Sequence, residues 1–116
     1  MKFAEFRRAM ESNRSQADKD AMCLKDPSIV RERLLNMYGR FDADDRIMAN
    51  QVLSEWVLSE DEALRFDAVG LIKDLKIGSA TPSLRKLAER LGRERSPGAP
   101  FELEKVQRII AALSRP

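Results

Sequence analysis

The fold of this chain is decided by the stretch Asp61-Glu62-Ala63-Leu64-Arg65-Phe66-Asp67-Ala68-Val69-Gly70-Leu71-Ile72-Lys73-Asp74-Leu75. Its apolar side chains recur at steps of three and four residues, namely at Leu64, Ala68, Leu71, Ile72 and Leu75. This spacing lines one face of an α-helix with apolar groups, so the stretch predicts an amphipathic helix.

The same helical spacing recurs along the rest of the chain. Apolar stripes occupy residues 3–10, 28–38, 43–58, 82–91 and 101–113, and residues 16–24 add a further turn or two. The stripe of 43–58 includes Ile47 and Trp56, and that of 101–113 includes Leu103, Val106, Ile110 and Leu113, with Ile109 beside them. No run alternates with the period of two that marks a strand. We therefore expect an all-α fold of five or six helices.

Several residues are typical of helix starts. Asp26-Pro27 and Thr81-Pro82 each read as an N-cap followed by proline at the first helical position, where its missing N–H costs nothing. Ser59 followed by Glu62 matches a capping box. Asp42 is the expected cap of the next helix, with Asp44 and Asp45 in the first turn.

Glycine and proline indicate where helices end. Gly39, Gly78 and Gly92 follow helical stripes and suit the left-handed conformation that closes a helix. The segment Ser96-Pro97-Gly98-Ala99-Pro100 is the clearest loop.

Composition narrows the chemistry. The 116 residues are 43% hydrophobic and 34% charged, which suits a globular domain. Histidine is absent, which excludes Ser-His-Asp and Cys-His catalysis, and the single Cys23 excludes an internal disulfide. A single cysteine suits a reducing compartment, so we expect a cytoplasmic protein. No segment has the length of a membrane span or the apolar run of a secretory signal, so we expect no membrane partner.

The segment 61–75 resembles the second helix of a HEAT repeat. Asp61, Leu64, Arg65, Ala68, Gly70 and Leu75 fill the positions of that family's pattern. Thr81-Pro82-Ser83-Leu84 is similar to a HEAT first helix, whereas Ile109 stands where the next repeat would carry a small residue. The resemblance covers about residues 43–114.

The resemblance implies an architecture. It is a short right-handed α-solenoid of antiparallel helical hairpins over residues 43–114. Residues 1–40 would form cap helices, all within one domain of residues 1–116. In such a repeat Arg65 reaches back to a carboxylate in the preceding turn, while Ala68 and Gly70 allow close helix packing.

Charge is distributed in blocks that suggest a binding surface. Residues 40–72 carry eight acidic and three basic side chains, although the whole chain has a net charge of +2. Fold analogy with small bacterial immunity proteins suggests a non-enzymatic module that occludes a cognate toxin's basic active-site cleft. The predicted contact residues are Asp44, Asp45, Glu55, Glu60, Glu62 and Asp67. The oligomeric state and the face used stay open.

Nucleic-acid binding by the basic C-terminal half is the alternative function. Its phosphate contacts would come from Arg85, Lys86, Arg90, Arg93, Arg95, Lys105, Arg108 and Arg115.

Four other kinds of site are less well supported by the sequence. Asp42-Ala43-Asp44-Asp45 could ligate magnesium, but helix capping explains it more simply, and we predict neither metal nor cofactor. Glu60-Asp61-Glu62 could pair with that first cluster as the acid and base of glycoside chemistry, but no pocket signature supports it. The segment Gly92–Gly98 could bind a phosphate, but it matches neither the Walker pattern nor the dinucleotide fingerprint. We expect Cys23 to be a packed residue rather than a nucleophile, and Trp56 to lie in the core.

Overall fold

The computed structural model describes residues 2–26 and 28–114. Over these residues the chain is all-α, with six α-helices, one 3₁₀ turn and no strand. The helices are α1 (Phe3–Leu24), α2 (Ser28–Gly39), α3 (Ala43–Val57), α4 (Glu62–Leu75), α5 (Thr81–Arg93) and α6 (Ala99–Leu113), with the 3₁₀ turn at Gly78–Ala80. The all-α prediction is confirmed, and the two stripes of 3–10 and 16–24 belong to one helix. None of the helices described has the length and apolar character needed to cross a bilayer.

The chain forms two compact units, Met1–Val52 and Leu53–Pro116. In the first unit, α1 packs against α2. Phe6, Met10, Ala17 and Ala21 are buried along α1, and Leu34 is buried on α2. The spacing of these α1 residues keeps them on one face, so a 22-residue helix contributes a single apolar stripe.

Polar and aromatic contacts complete the first unit. The Phe6 and Phe41 rings lie 5.0 Å apart between centroids. The Tyr38 hydroxyl donates a hydrogen bond to Asn50 Oδ1 at 3.0 Å. Arg33 donates to the Asp20 carboxylate, and this bond, followed by one from Gln16, holds the pKa of Asp20 below its ordinary value.

In the second unit, α6 packs against both α5 and α4. The fully buried side chains there include Leu53, Ile72, Leu84, Leu87 and Val106. Each of these residues belongs to a predicted apolar stripe, so the apolar faces of these helices form the core of the unit, as expected for amphipathic helices.

The start of α4 differs from the prediction. Asp61, not Ser59, is the N-cap, because its carboxylate accepts hydrogen bonds from the Ala63 and Leu64 N–H groups at 3.0 and 3.2 Å. Ser59 Oγ instead accepts from the Asp61 N–H at 3.0 Å. The predicted Ser59–Glu62 capping box is therefore wrong: the helix begins two residues later than that box requires.

At the other helix starts, one predicted N-cap is confirmed and another is shifted by one residue. Asp42 caps α3 by accepting from the Asp45 N–H at 2.8 Å, as expected. Thr81 is already helical and Ala80 is the N-cap, although Pro82 does lie in the first turn. Pro27 lies outside the described residues. The predicted loop is shorter than expected, because α6 already begins at Ala99.

Lysine rather than glycine closes two of the helices. Lys25 and Lys76, with φ of 53° and 54°, adopt the left-handed conformation after α1 and α4. Among the described residues no glycine has a positive φ, so the closing role predicted for Gly39, Gly78 and Gly92 is wrong. The backbone N–H of each lysine bonds back to carbonyls of the last turn, which offsets the strain of a side chain in that region.

Burial confirms some core predictions and corrects others. Trp56 is buried, as expected. Ile47 is 60% exposed, and Cys23 is exposed rather than packed. Each lies two residues from a buried alanine, Ala49 or Ala21, which places it about 200° around the helix from the core-facing stripe.

Candidate binding groove

The turn between α3 and α4 is held by Arg65, which is only 7% exposed. Its Nη1 donates to the carbonyl oxygens of Ser59 and Glu60, at 3.1 and 3.4 Å. Its Nε and Nη2 donate to the two oxygens of Glu102, at 2.8 and 3.1 Å. Arg65 therefore does reach back to the preceding turn, but it binds carbonyls there, and its carboxylate partner comes from α6.

A second arginine reaches the same turn from α5. Arg90 donates from Nη1 to the Leu58 carbonyl at 3.0 Å and from Nη2 to the Ser59 carbonyl at 3.2 Å. Its Nε is buried without a hydrogen-bond partner in the described residues, and the nearest carboxylate oxygen, of Glu94, forms an ion pair at 3.7 Å. The carbonyl oxygens of Leu58, Ser59 and Glu60 thus accept hydrogen bonds from the guanidinium groups of Arg65 and Arg90.

Electrostatics keeps the Arg65 group charged. The hydrogen-bonded Glu102 carboxylate raises the pKa of Arg65, while burial acts in the opposite direction. Glu94 and Glu62 add to the increase through their charges. The fork of two parallel bonds between Arg65 and Glu102 fixes the first turn of α6 next to the α3–α4 turn.

A groove of about 440 Å³ lies over this arrangement. We call it the acidic groove. It is lined by Glu60, Glu62, Arg65, Arg90, Glu94, Ser96, Pro97, Gly98, Ala99 and Glu102. Four carboxylates face two arginines, and both arginines already bond to the turn. Within residues 2–26 and 28–114 the exposed side chains of Glu60 and Glu62 make no hydrogen bond or close ion pair, although the charge of Glu62 contributes to the raised pKa of Arg65.

The structure brings together only some of the predicted contact residues. Glu60 and Glu62 line the acidic groove. Glu55, exposed on α3, and Asp67, half-buried on α4, do not line it. Asp44 and Asp45 are in the first turn of α3, within the other unit.

Sequence reasoning missed the groove's other carboxylates. Glu94 belonged to a segment considered for phosphate binding, and Glu102 was not singled out. A carboxylate in the first turn of α6 is a local signal, but its partner Arg65 lies 37 residues earlier. No local pattern connects such a pair.

The cations considered for nucleic-acid binding have mixed environments. Arg90 binds turn carbonyls and Arg108 pairs with Glu104. Lys105 lies over the Phe66 ring. Arg85, Lys86, Arg93 and Arg95 are exposed, and Arg115 lies outside the described residues. Several of the eight cations are thus engaged within the protein.

No cluster of three or more potential metal-ligating side chains occurs in the part of the chain described. Asp42 acts as a helix cap, in line with the simpler reading of its motif.

Comparison of the chain with protein-family models, with curated proteins and with solved structures gave no match.

Proposed function

We propose that this chain is a non-enzymatic protein-binding module whose acidic groove takes a basic side chain of a partner protein. The observation that carries the proposal is the pair of exposed carboxylates, Glu60 and Glu62, at the rim of a groove whose base is held in place by Arg65 and Arg90. A lysine or arginine of the partner would lie between the two carboxylates.

Preorganisation supports this role. The α3–α4 turn carries Glu60, and its carbonyls are fixed by four hydrogen bonds from the two arginines. The rim carboxylates therefore start from a turn that is already ordered, which lowers the entropy lost on binding. Their charge also speeds the approach of a basic partner more than it tightens the final complex.

The arginines favour binding over catalysis as the use of the groove. Four of the five N–H donors of Arg65 bind the two oxygens of Glu102 and two turn carbonyls, so little of its hydrogen-bonding capacity is left for a substrate. Glu102 is likewise committed as its counterion. Arg65 and Glu102 therefore hold the groove in shape, and Glu60 and Glu62 at its rim would contact the partner protein.

The wider setting is part of the same proposal. We infer that α3–α4 and α5–α6 are HEAT-like hairpins of a short α-solenoid and that the chain acts in the bacterial cytoplasm. A toxin with a basic cleft is the partner class that suits an acidic rim, because the rim would take the place of substrate phosphates. Glu55 and Asp67 would extend the acidic surface of the same unit beyond the groove, and Asp44 and Asp45 would be separate contact residues of the first unit.

The test is a capture experiment with matched charge reversal. Immobilised wild-type chain is compared with the double variant Glu60→Lys/Glu62→Lys on extract of the native host, with bound proteins identified by mass spectrometry. The control, Glu5→Lys/Asp18→Lys, changes two exposed acids of α1 and the net charge equally.

We expect a basic protein that binds the wild type and the control but not the groove variant. Binding of the purified partner is then measured directly. Failure to capture any basic protein, or equal capture by the groove variant, would contradict the proposal. A purified chain that binds mixed-sequence DNA duplex with steep salt dependence would favour the nucleic-acid alternative.

A further inference from the structure

A second surface of the Leu53–Pro116 unit has the opposite charge. It is a cleft of about 260 Å³, which we call the basic cleft, lined by Lys73, Phe101, Glu104, Lys105, Arg108 and Ile109. One wall comes from α4 and the other from α6, two helices that pack against each other. None of these residues lines the acidic groove.

Two large aromatic side chains are exposed at this cleft. Phe101 is 76% exposed and lines it directly, while Phe66 is 55% exposed and adjoins it through Lys105. The Lys105 ammonium lies 4.1 Å from the centre of the Phe66 ring. Exposed apolar groups gathered next to a cleft, rather than scattered singly, are typical of an interaction site.

The charges at the cleft define its occupant. Three cations, Lys73, Lys105 and Arg108, face one carboxylate, Glu104, which pairs with Arg108. The side chain of Lys73 is exposed, and its ammonium makes no hydrogen bond or ion pair within the described residues. The excess positive charge complements an acidic ligand, and the exposed Phe101 complements an apolar group on that ligand.

We propose that the basic cleft binds an acidic peptide segment of a protein, with one apolar side chain packed on Phe101 and carboxylates near Lys73 and Arg108. A peptide fits these observations better than a nucleic acid strand does. Lys105 already covers a face of Phe66 that a base would need for stacking. Glu104 in the lining would repel the evenly spaced phosphates of a strand, whereas a peptide can place its few charges away from it.

The experiment is selection of a random-peptide display library on the folded full chain. Enriched peptides are synthesised, and their affinities are measured by fluorescence anisotropy for the wild type and for Phe101→Ser, Lys73→Glu and Arg108→Glu. The matched control is Lys86→Glu, an exposed lysine of α5 that lies outside the cleft. Circular dichroism checks that each variant folds, as expected for exposed positions.

The proposal expects enriched peptides that combine aspartate or glutamate with an aromatic or aliphatic residue. Each cleft variant should weaken their binding roughly tenfold or more, and Lys86→Glu should leave it unchanged. Glu62→Lys should also leave it unchanged, which separates this cleft from the groove of the proposed function.

Several results would overturn the proposal. They are no enrichment, enrichment of basic peptides, or binding that the cleft variants do not change. An oligothymidine strand that binds in their place and is lost on the same variants would assign the cleft to nucleic acid. Self-association of the wild type that Phe101→Ser abolishes, without peptide binding, would assign it to a second copy of the chain.

Discussion

Arg65 on α4 donates to both carboxylate oxygens of Glu102 on α6, at 2.8 and 3.1 Å, and its side chain is only 8% exposed. This pair joins the α3–α4 turn to the start of α6. The shape of the acidic groove therefore depends on how α6 packs within the Leu53–Pro116 unit.

Removal of Glu102 should destabilise the protein strongly. In Glu102→Ala the Arg65 guanidinium stays buried without its counterion, and we expect a loss of about 2–3 kcal/mol in the free energy of unfolding. Urea unfolding measures this loss. The control is Glu104→Ala on the same helix, which breaks an exposed pair with Arg108 and should cost less than about 0.5 kcal/mol. Equal losses for the two variants would contradict the structural role of the Arg65–Glu102 pair.

The position of the α4 cap can be tested separately. Asp61→Ala removes the acceptor of two backbone N–H groups and should cost about 1 kcal/mol. Glu62→Ala removes an exposed side chain that caps nothing, and the change should stay below about 0.5 kcal/mol. Thermal unfolding of the two variants distinguishes the cases, and a larger effect at Glu62 would restore the capping box that the sequence suggests.

Asp20 gives a pH dependence of known sign. Its folded-state pKa is lowered by Arg33, so the interaction stabilises the protein above the unfolded value of about 3.9 and is lost as the pH falls through the lower folded value. Asp20→Asn should therefore be less stable than the wild type at neutral pH, and the difference should shrink in strong acid. Urea unfolding at both pH values measures it, with the exposed Asp18→Asn as control. A difference that is constant with pH would contradict the assignment.

The assignment of core and surface positions can be tested by replacing isoleucine with alanine at a buried and at an exposed position. Ile72 is fully buried, and Ile72→Ala should cost about 2–5 kcal/mol through lost burial and the cavity left behind. Ile47 is 60% exposed, so Ile47→Ala should change stability by less than about 0.5 kcal/mol. Comparable losses measured by urea unfolding would show that Ile47 belongs to the core after all.

The helices were predictable because their signal is local. Stripes such as Leu84 and Leu87 need only the helical repeat of 3.6 residues to identify the buried face. The same rule overreached at Ile47, because an apolar residue beside a stripe is not distinguished from one within it until the neighbouring elements are placed.

The groove was less predictable than the helices. Glu60 and Glu62 were found through the charge of their segment, which is a local property. Glu102 meets Arg65, 37 residues away, and Arg90 meets the carbonyls of Leu58 and Ser59, 32 and 31 residues away, only through tertiary packing. The sequence also did not predict that Lys76, rather than a glycine, closes α4. The backbone hydrogen bonds that offset the strain of its left-handed conformation form only in the folded turn.

The most direct test of the account is the association rate of the basic partner with the acidic groove, measured by surface plasmon resonance at low and high salt. We predict that Glu60→Lys/Glu62→Lys slows association by roughly tenfold or more at low salt, whereas Glu5→Lys/Asp18→Lys has little effect. An association rate that is the same for the wild type and the groove variant would contradict the central claim.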